Sequence, residues 1–217
     1  MNGEYMQGWS NYRALETSVS KRFSHRWQAS ANFTVGGIWD STGPPCQTVK
    51  GPDGNATCQK ITFKLKPDVE GEYTHAATDQ RYRSVVNGIW DVGKGFQLSG
   101  LYFYGSGMRT AVTCGSCEAR DTGTGGGTRR NNDGTIIPRN SFVGSPLHRM
   151  DVRFQQRIKL GGRRSLDGIL EVFNLLDHAN YGSFTTAVDN VKYGQPVYNA
   201  DTAYAARAAQ LGFRLAF

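Results

Sequence analysis

The stretch LHRMDVRFQQRIKL, residues 147–160, decides the fold prediction because its side chains alternate in polarity along the chain. One parity holds the apolar residues Met150, Val152, Phe154, Ile158 and Leu160, interrupted only by Gln156. The other parity holds Asp151, Arg153, Gln155, Arg157 and Lys159. Successive side chains of a β-strand point to opposite faces, so the stretch predicts a strand with one apolar and one charged face.

Six further segments show a period of two, less cleanly in residues 81–92 and 166–176 than elsewhere. The other four are residues 12–23, 27–35, 96–104 and 205–217. The last segment carries Leu211, Phe213, Leu215 and Phe217 on one parity, with Arg207 as the exception near its start, and Gln210, Gly212 and Arg214 on the other. The sequence therefore predicts about seven strands.

The connections alternate strictly between short and long. Short turns at residues 24–26, 93–95 and 161–164 are separated by polar stretches at residues 37–80, 106–146 and 177–203. A soluble domain rarely holds three structureless loops longer than about 15 residues, whereas outer-membrane barrels have tight turns at one rim and large loops at the other. We predict an all-β fold, an antiparallel up-and-down transmembrane β-barrel segment with short periplasmic turns and long extracellular loops.

The alternative for such alternation is a β-sandwich or a soluble barrel with one face on its core. In the barrel, the charged parity faces the lumen, and we assign Asp151, Arg153, Gln155, Arg157, Lys159 and Arg214 to it. Val152, Phe154 and Ile158 then face lipid. Aromatic residues near strand ends, namely Trp27, Trp90, Tyr102 and Tyr104, fit the interfacial girdles of such barrels.

Length and composition limit the possible classes. The 217 residues, 38% hydrophobic and 20% charged, suit one ordinary domain. No run near 18 apolar residues occurs, which excludes a transmembrane helix but not strands, since these need only about 10 residues each. The net charge of +7 is spread along the chain without a dense cluster. We assign it to solvated surface and lumen and expect no nucleic-acid partner.

The four cysteines form two local pairs in polar stretches, Cys46 with Cys58 and Cys114 with Cys117. Structural zinc needs two knuckles with tetrahedral spacing, and a thioredoxin-like motif needs a βαβ context. Neither is visible in the sequence. Two disulfides in exposed, oxidised loops are the better interpretation, with the Cys114–Cys117 ring the weaker case because so short a ring is prone to strain.

The sequence carries no recognisable catalytic or metal-binding pattern. The histidines His25, His75, His148 and His178 are scattered over turns and loops without a second ligand at metal spacing. No Gly-x-Ser-x-Gly elbow occurs, and the glycine-rich residues 123–127 lack the lysine of a phosphate loop. We expect a chain that is not an enzyme, with no catalytic residue, no metal and no cofactor.

Two segments carry a specific resemblance. The ending LGFRLAF, residues 211–217, looks like the C-terminal strand of outer-membrane proteins, which the barrel-assembly machinery recognises. This implies an assembly signal at Leu211, Phe213, Leu215 and Phe217. Residues 170–181, LEVFNLLDHANY, resemble a segment of TonB-dependent receptors, with Leu176 where that family has Phe. Residues 12–24 and 149–154 look like receptors of the Oar-like type, which carry a carboxypeptidase-regulatory-like domain.

The resemblance implies what the whole chain is. Residues 1–217 correspond to the C-terminal part of an outer-membrane barrel, and the signal peptide, TonB box, plug domain and earlier strands of such receptors are not in the sequence, so we expect a fragment. The implied function is TonB-dependent uptake or surface handling of a bulky, unidentified ligand. The implied partners are the outer-membrane lipid bilayer, the barrel-assembly machinery and the TonB system. The alternative is an adhesion or surface-binding barrel without active transport.

Overall fold

A computed structural model describes residues 9–41, 46–50, 56–60, 74–115, 137–197 and 205–217. Within these ranges the chain is all-β and contains no helix. No helix long and apolar enough to cross a membrane is therefore found in the part of the chain that the structure describes. The predicted all-β, antiparallel fold is confirmed.

Twelve strands lie within the described ranges. In chain order they are β1 (Trp9–Ser24), β2 (Trp27–Ser41), β3 (Cys46–Lys50), β4 (Ala56–Lys60), β5 (Thr74–His75), β6 (Tyr82–Gly93), β7 (Phe96–Gly105), β8 (Arg109–Thr110), β9 (Phe142–Val143), β10 (Leu147–Gly161), β11 (Arg164–Phe173) and β12 (Ala208–Ala216). The seven long strands form one antiparallel sheet in the order β1-β2-β6-β7-β10-β11-β12, with β5 added to β2. Strands β3 and β4 form one hairpin, and β8 pairs with β9.

The sheet is an up-and-down meander because tight turns join alternate neighbours. His25 and Arg26 both adopt positive φ between Ser24 and Trp27, and Lys94 and Gly95 do the same in the second turn. Turns with positive φ at their central residues match the twist of the flanking strands. Glycine is required at position 95, since a Cβ there would collide with the carbonyl oxygen of Arg157.

The seven predicted segments correspond to the seven long strands, and the three short turns lie where they were predicted. Three boundaries were wrong. Strand β2 continues to Ser41, so its last five residues lie in the predicted loop 37–80. Strand β11 ends at Phe173, because Asn174 turns the chain with a φ of 51°. Strand β12 begins at Ala208, so Ala205 and Arg207 precede it.

The sequence suggested that the long connections are structureless, but their described parts contain short strands. They contain the β3–β4 hairpin, β5, the β8–β9 pair, and isolated bridges that join Thr113 to Ala187 and Phe184 to Pro196. Short strands of two residues carry no periodicity, so polarity alternation does not reveal them.

The described strands form an open sheet, since β1 and β12 pair with one neighbour each and not with each other. The buried apolar residues of the described ranges lie almost entirely in the connections, at the end of the sheet opposite the short turns. They are Ala76, Val112, Cys114, Ile137 and, at the start of β10, Leu147. The sheet itself has no second layer of described residues against either face. This distribution leaves both faces of the sheet available for other contacts.

Candidate functional site

The candidate site is the polar face of the sheet, formed by one parity of all seven long strands. Register places Arg153 opposite Glu171 and Arg157 opposite Asp167 on the neighbouring strand. Arg157 and Asp167 form a bidentate ion pair, in which Nε of Arg157 lies 2.7 Å from Oδ1 and a terminal guanidinium nitrogen lies 2.9 Å from Oδ2. Arg153 lies 3.6 Å from the Glu171 carboxylate. Paired charges thus run across β10 and β11.

The row of charges continues toward the long connections. Arg149 donates to both oxygens of Asp151 at 2.9 Å. Asp151 also accepts a hydrogen bond from the backbone N–H of Asn174, at 2.9 Å. On the other side, Arg214 of β12 lies opposite Asp167. The carboxylates of this face therefore have cationic or backbone donors as neighbours, which lowers the cost of removing them from water.

A shallow cavity of about 290 Å³ opens on the polar face. Its polar lining comes from five strands, β2, β6, β7, β10 and β11, with Gln28, Asn87, Ser99, Asp151, Arg153 and Glu171 as the donors and acceptors. Ile89, Leu101 and Phe173 add apolar surface. Amides, an arginine and carboxylates together can hydrogen-bond a polar ligand, but they do not form a nucleophile with its base. Among the described residues no group of three or more His, Cys, Asp or Glu side chains could hold a metal ion.

The opposite face of the same sheet is apolar and open. Its side chains include Leu15, Val19, Phe23, Phe33, Trp90, Phe154, Ile158, Leu170, Leu211 and Phe213. Leu15 is 65% exposed, Val19 67%, Trp90 52% and Phe213 77%. Large exposed apolar patches in proteins mark contacts with a partner or a membrane. Here the patch extends across all seven long strands.

At the end opposite the short turns, a buried carboxylate ties two connections to the sheet. Asp79 is 2% exposed and accepts a 2.8 Å hydrogen bond from Nε of Arg109 and one of 2.9 Å from the backbone N–H of Ile38. Nδ1 of His75 lies 3.0 Å from the same carboxylate. Asp40 pairs with Arg139 from the second connection. These contacts hold residues 74–80, β8 and residues 137–140 together above the strand ends.

The segment NLLDHAN, residues 174–180, joins three strands. The side-chain amide of Asn174 donates to the carbonyl oxygens of His178 and Ala205, both at 3.1 Å. Asn180, 1% exposed, accepts from the N–H of His148 and donates to its carbonyl oxygen, each at 2.7 Å. Asp177 accepts from the backbone N–H of Arg207 just before β12. This resembled segment therefore acts as a structural junction between β10, β11 and β12.

The sequence suggested that the histidines are scattered over solvated turns and loops. The structure shows instead that three of the four pack against other aromatic rings. His148 lies in β10 and its ring packs against that of His178, with centroids 4.8 Å apart. Nδ1 of His148 and the hydroxyl of Tyr102 share a hydrogen bond of 2.9 Å. His75 packs on Trp39 with centroids 4.7 Å apart. These side chains pack at the rim of the sheet, and only His25 stays in an exposed turn.

The residues assigned from sequence fall into three groups. Asp151, Arg153, Gln155, Arg157, Lys159 and Arg214 share the polar face, although a lumen is not itself part of the described structure. Leu211, Phe213 and Leu215 share the apolar face, and Phe217 follows β12. Arg207, the exception to the apolar parity, precedes β12, and its guanidinium lies 3.6 Å from the Asp177 carboxylate.

The predicted disulfides remain predictions. Cys46 and Cys58 lie on paired strands, with Thr48, two residues from Cys46, opposite Cys58. Cys114 is 1% exposed, while Cys117 lies outside the described residues.

Sequence reasoning missed Asp167 and Glu171, which complete the charged row on β11. The signal was available, since the two acids are four residues apart and share a parity, but their partners follow only from the strand register.

Comparison of the chain with protein-family models, with curated proteins and with solved structures found no match. The described part of the chain is thus an open antiparallel sheet with one polar and one exposed apolar face.

Proposed function

We propose that this chain forms part of a bacterial outer-membrane β-barrel that acts as a TonB-dependent receptor for a bulky ligand. The observation that carries the proposal is the contrast between the two faces of the sheet. One face exposes large apolar side chains across seven strands, and the other carries paired charges and a polar cavity. In a membrane barrel, lipid-facing and lumen-facing residues must alternate in this way.

Energetics favour lipid as the medium on the apolar face. Burying apolar surface is worth about 25 cal/mol per Å², so leaving Leu15, Val19 and Phe213 in water at 65%, 67% and 77% exposure forgoes much of the available stabilisation. A soluble sandwich would cover this face with a second sheet. The described connections do not cover it, since their buried clusters lie at the strand ends.

Strand length and stagger also support a barrel. The seven long strands have 9 to 16 residues, and about 9–11 residues suffice to cross the hydrocarbon when tilted. One lateral row on the apolar face runs through Trp27, Trp90, Leu98, Phe154, Leu170 and Leu211. Trp27 directly follows the first turn, whereas Trp90 precedes Gly93 by three residues and Phe154 precedes Gly161 by seven. Such progressive displacement in one direction is what tilted barrel strands require.

The open edges fit a barrel that further strands complete. Strands β1 and β12 each leave one edge unpaired within the described sheet. In lipid each unsatisfied backbone group costs several kcal/mol, so these edges need partners from the same closed sheet.

The receptor assignment draws on the polar side of the molecule. The cavity brings together an arginine, two carboxylates and two amides. The packed long connections lie above the strand ends, where ion pairs such as Arg109–Asp79 hold them together. The polar groups of the cavity suit a polar ligand that is recognised by several hydrogen bonds. Residues 170–181 and 211–217 resemble TonB-dependent receptors. This resemblance supports uptake of the ligand into the cell, powered through TonB.

Membrane topology can be tested with two exposed lysines at opposite ends of the sheet, Lys192 in the third long connection and Lys94 in the second short turn. Each is replaced singly by Cys in the full-length protein, and intact cells are treated with an impermeant maleimide. We expect labelling above the unsubstituted protein at position 192 and none at position 94 until the outer membrane is permeabilised. Labelling at 94 alone in intact cells would contradict the topology.

Transport and adhesion differ in their need for TonB. We expect the purified full-length protein, in detergent, to bind the isolated periplasmic domain of TonB in a pull-down. Proper topology without any TonB binding would favour the adhesion barrel and overturn the receptor assignment.

A further inference from the structure

The short-turn end of the sheet carries several exposed, positively charged side chains. We define the basic rim as six exposed side chains in or beside the three short turns. They are Arg22, Arg26, Lys94, Lys159, Arg163 and Arg164. The acidic residue nearest the second turn, Asp91, uses a carboxylate oxygen to accept the N–H of Gly93 at 3.0 Å.

The opposite end of the sheet holds ion pairs as well as cations without one, such as Arg81 and Lys192, whereas the basic rim holds no ion pair among the described residues. At the long connections Asp79, Asp40 and Asp177 each pair with an arginine. None of the six rim cations forms an ion pair with another described residue. Lys21 is excluded from the rim because its ammonium is already bound by Ser24 and the carbonyl oxygen of Trp27. The rim therefore presents unneutralised charge to whatever adjoins it.

The apolar face begins directly beside this rim. Trp27 follows Arg26, Leu160 precedes the third turn, and the ammonium of Lys21 lies 3.9 Å from the ring centroid of Trp27. A groove of about 710 Å³ runs across the apolar face from Trp27. Its floor is low because Ala29, Gly88 and Gly100 lie side by side on three strands. Trp90 and Leu98 form its wall toward the turns, and Tyr102 and Met150 form the other wall.

We propose that the basic rim and this groove bind an anionic phospholipid, such as phosphatidylglycerol, from the leaflet next to the short turns. The proposal rests on the proposed function, because it needs the apolar face to lie in a bilayer. Headgroup phosphates complement the unpaired rim cations, and an acyl chain of the same lipid fills the groove. Basic side chains at a membrane surface attract anionic lipids by about 1 kcal/mol each, and long side chains reach the headgroups while their stems stay in apolar contact.

The test uses the full-length protein reconstituted into phosphatidylcholine vesicles, with tryptophan fluorescence quenched by dibrominated lipids. Trp27 and Trp90 line the groove, and the signal that disappears in the double variant Trp27→Phe/Trp90→Phe isolates their contribution. Dibrominated phosphatidylcholine measures contact with lipid of any kind. Dibrominated phosphatidylglycerol at the same mole fraction measures headgroup preference.

We expect both lipids to quench, with a several-fold preference for phosphatidylglycerol. The variant Lys94→Gln/Arg163→Gln should abolish that preference, because each cation contributes up to about fivefold. The matched variant Arg81→Gln/Lys192→Gln, which removes two exposed cations at the other end of the sheet, should keep it. High salt should weaken the preference in the unsubstituted protein.

The outcomes separate the two proposals. Absence of quenching by either lipid overturns the membrane assignment itself. Equal quenching by both lipids keeps that assignment and overturns the lipid-binding proposal. A preference that survives Lys94→Gln/Arg163→Gln, or one that both double variants lose equally, also overturns it, because the basic rim would then not be the binding surface.

Discussion

The sheet and the long connections bury their residues in opposite ways. In the connections, Asn180, Asp79 and Cys114 are each at most 2% exposed, and Val112, Ile137 and Phe142 pack into a small apolar cluster. In the sheet, Leu15, Phe154 and Leu211 are 65%, 40% and 73% exposed. The connections therefore satisfy most of their polar and apolar groups by contacts within the described chain, although Oδ1 of Asn174 and Nε2 of His178 are buried without a hydrogen-bond partner. The sheet does not, and its stability depends on what covers its two faces.

The difference has a physical origin in the hydrogen bonds. A connection that leaves a strand must find partners for its backbone groups in other loops or in side chains, which is why Asp79, Asn174 and Asn180 are buried with several partners each. The backbone N–H and C=O groups of neighbouring strands hydrogen-bond one another. The side chains on the two faces of the sheet can therefore differ, polar on one face and apolar on the other.

The largest effect is expected from deletion of Phe217. This residue is 93% exposed in the described structure, so its loss removes almost no packing within the chain. If residues 211–217 act as an assembly signal, deletion should nevertheless leave most of the full-length protein unfolded in the periplasm. Burial of one aromatic side chain is worth only about 1.5–3 kcal/mol. The measurement is the heat-modifiable, folded fraction in isolated outer membranes.

Phe217→Tyr and Phe217→Ser provide the controls. Tyr keeps a terminal aromatic ring and should support assembly, whereas Ser should fail as the deletion does. Normal folded amounts for the deletion and the Ser variant would remove the assembly-signal interpretation, and the terminal strand would then be one apolar strand among seven.

A smaller effect separates the two faces of β10. Phe154 belongs to the apolar face and is 40% exposed, and its neighbour Gln155 belongs to the polar face, where its amide oxygen accepts from Arg153. Phe154→Arg should lower the free energy of unfolding in lipid by about 2–4 kcal/mol near the bilayer midplane, and Gln155→Arg by much less. Urea unfolding in lipid vesicles measures both. Equal losses would contradict the assignment of lipid to the apolar face.

Sequence patterns predicted the sheet well and the connections poorly, for reasons that particular residues make clear. Residues 147–160 alternate because each position faces one of two media, and this information is local. The turn at Lys94 and Gly95 is local too, since both residues adopt positive φ, a conformation that glycine favours. The face of each charged residue on β10 followed directly from parity.

Partners and junctions could not be predicted in the same way, because they depend on register and on distant segments. Asp79 meets Arg109 from another connection, and Asp40 meets Arg139 across a separation of 99 residues. The resemblance marked residues 174–181 as specific without a role, and only the contacts of Asn174 and Asn180 identify them as a junction. No period in the sequence encodes such contacts.

The smallest effect, and the one confined to the connections, is expected from Asn180→Ala. The side chain accepts from the N–H of His148 and donates to the carbonyl oxygens of His148 and His178, at 2.7, 2.7 and 3.0 Å. Alanine leaves these buried groups without partners, which costs about 1–3 kcal/mol. Because the sheet ladder is untouched, we expect local opening of residues 177–197 rather than loss of the sheet.

Limited proteolysis of the full-length protein in vesicles should cut this connection faster, while the heat-modifiable fraction stays normal. Asn190→Ala is the matched control, since Asn190 is exposed and its side-chain oxygen accepts from the N–H of Lys192. If both variants were cut at equal rates, or if Asn180→Ala also lost the folded barrel, the connections and the sheet would not be the independent regions that their burial indicates.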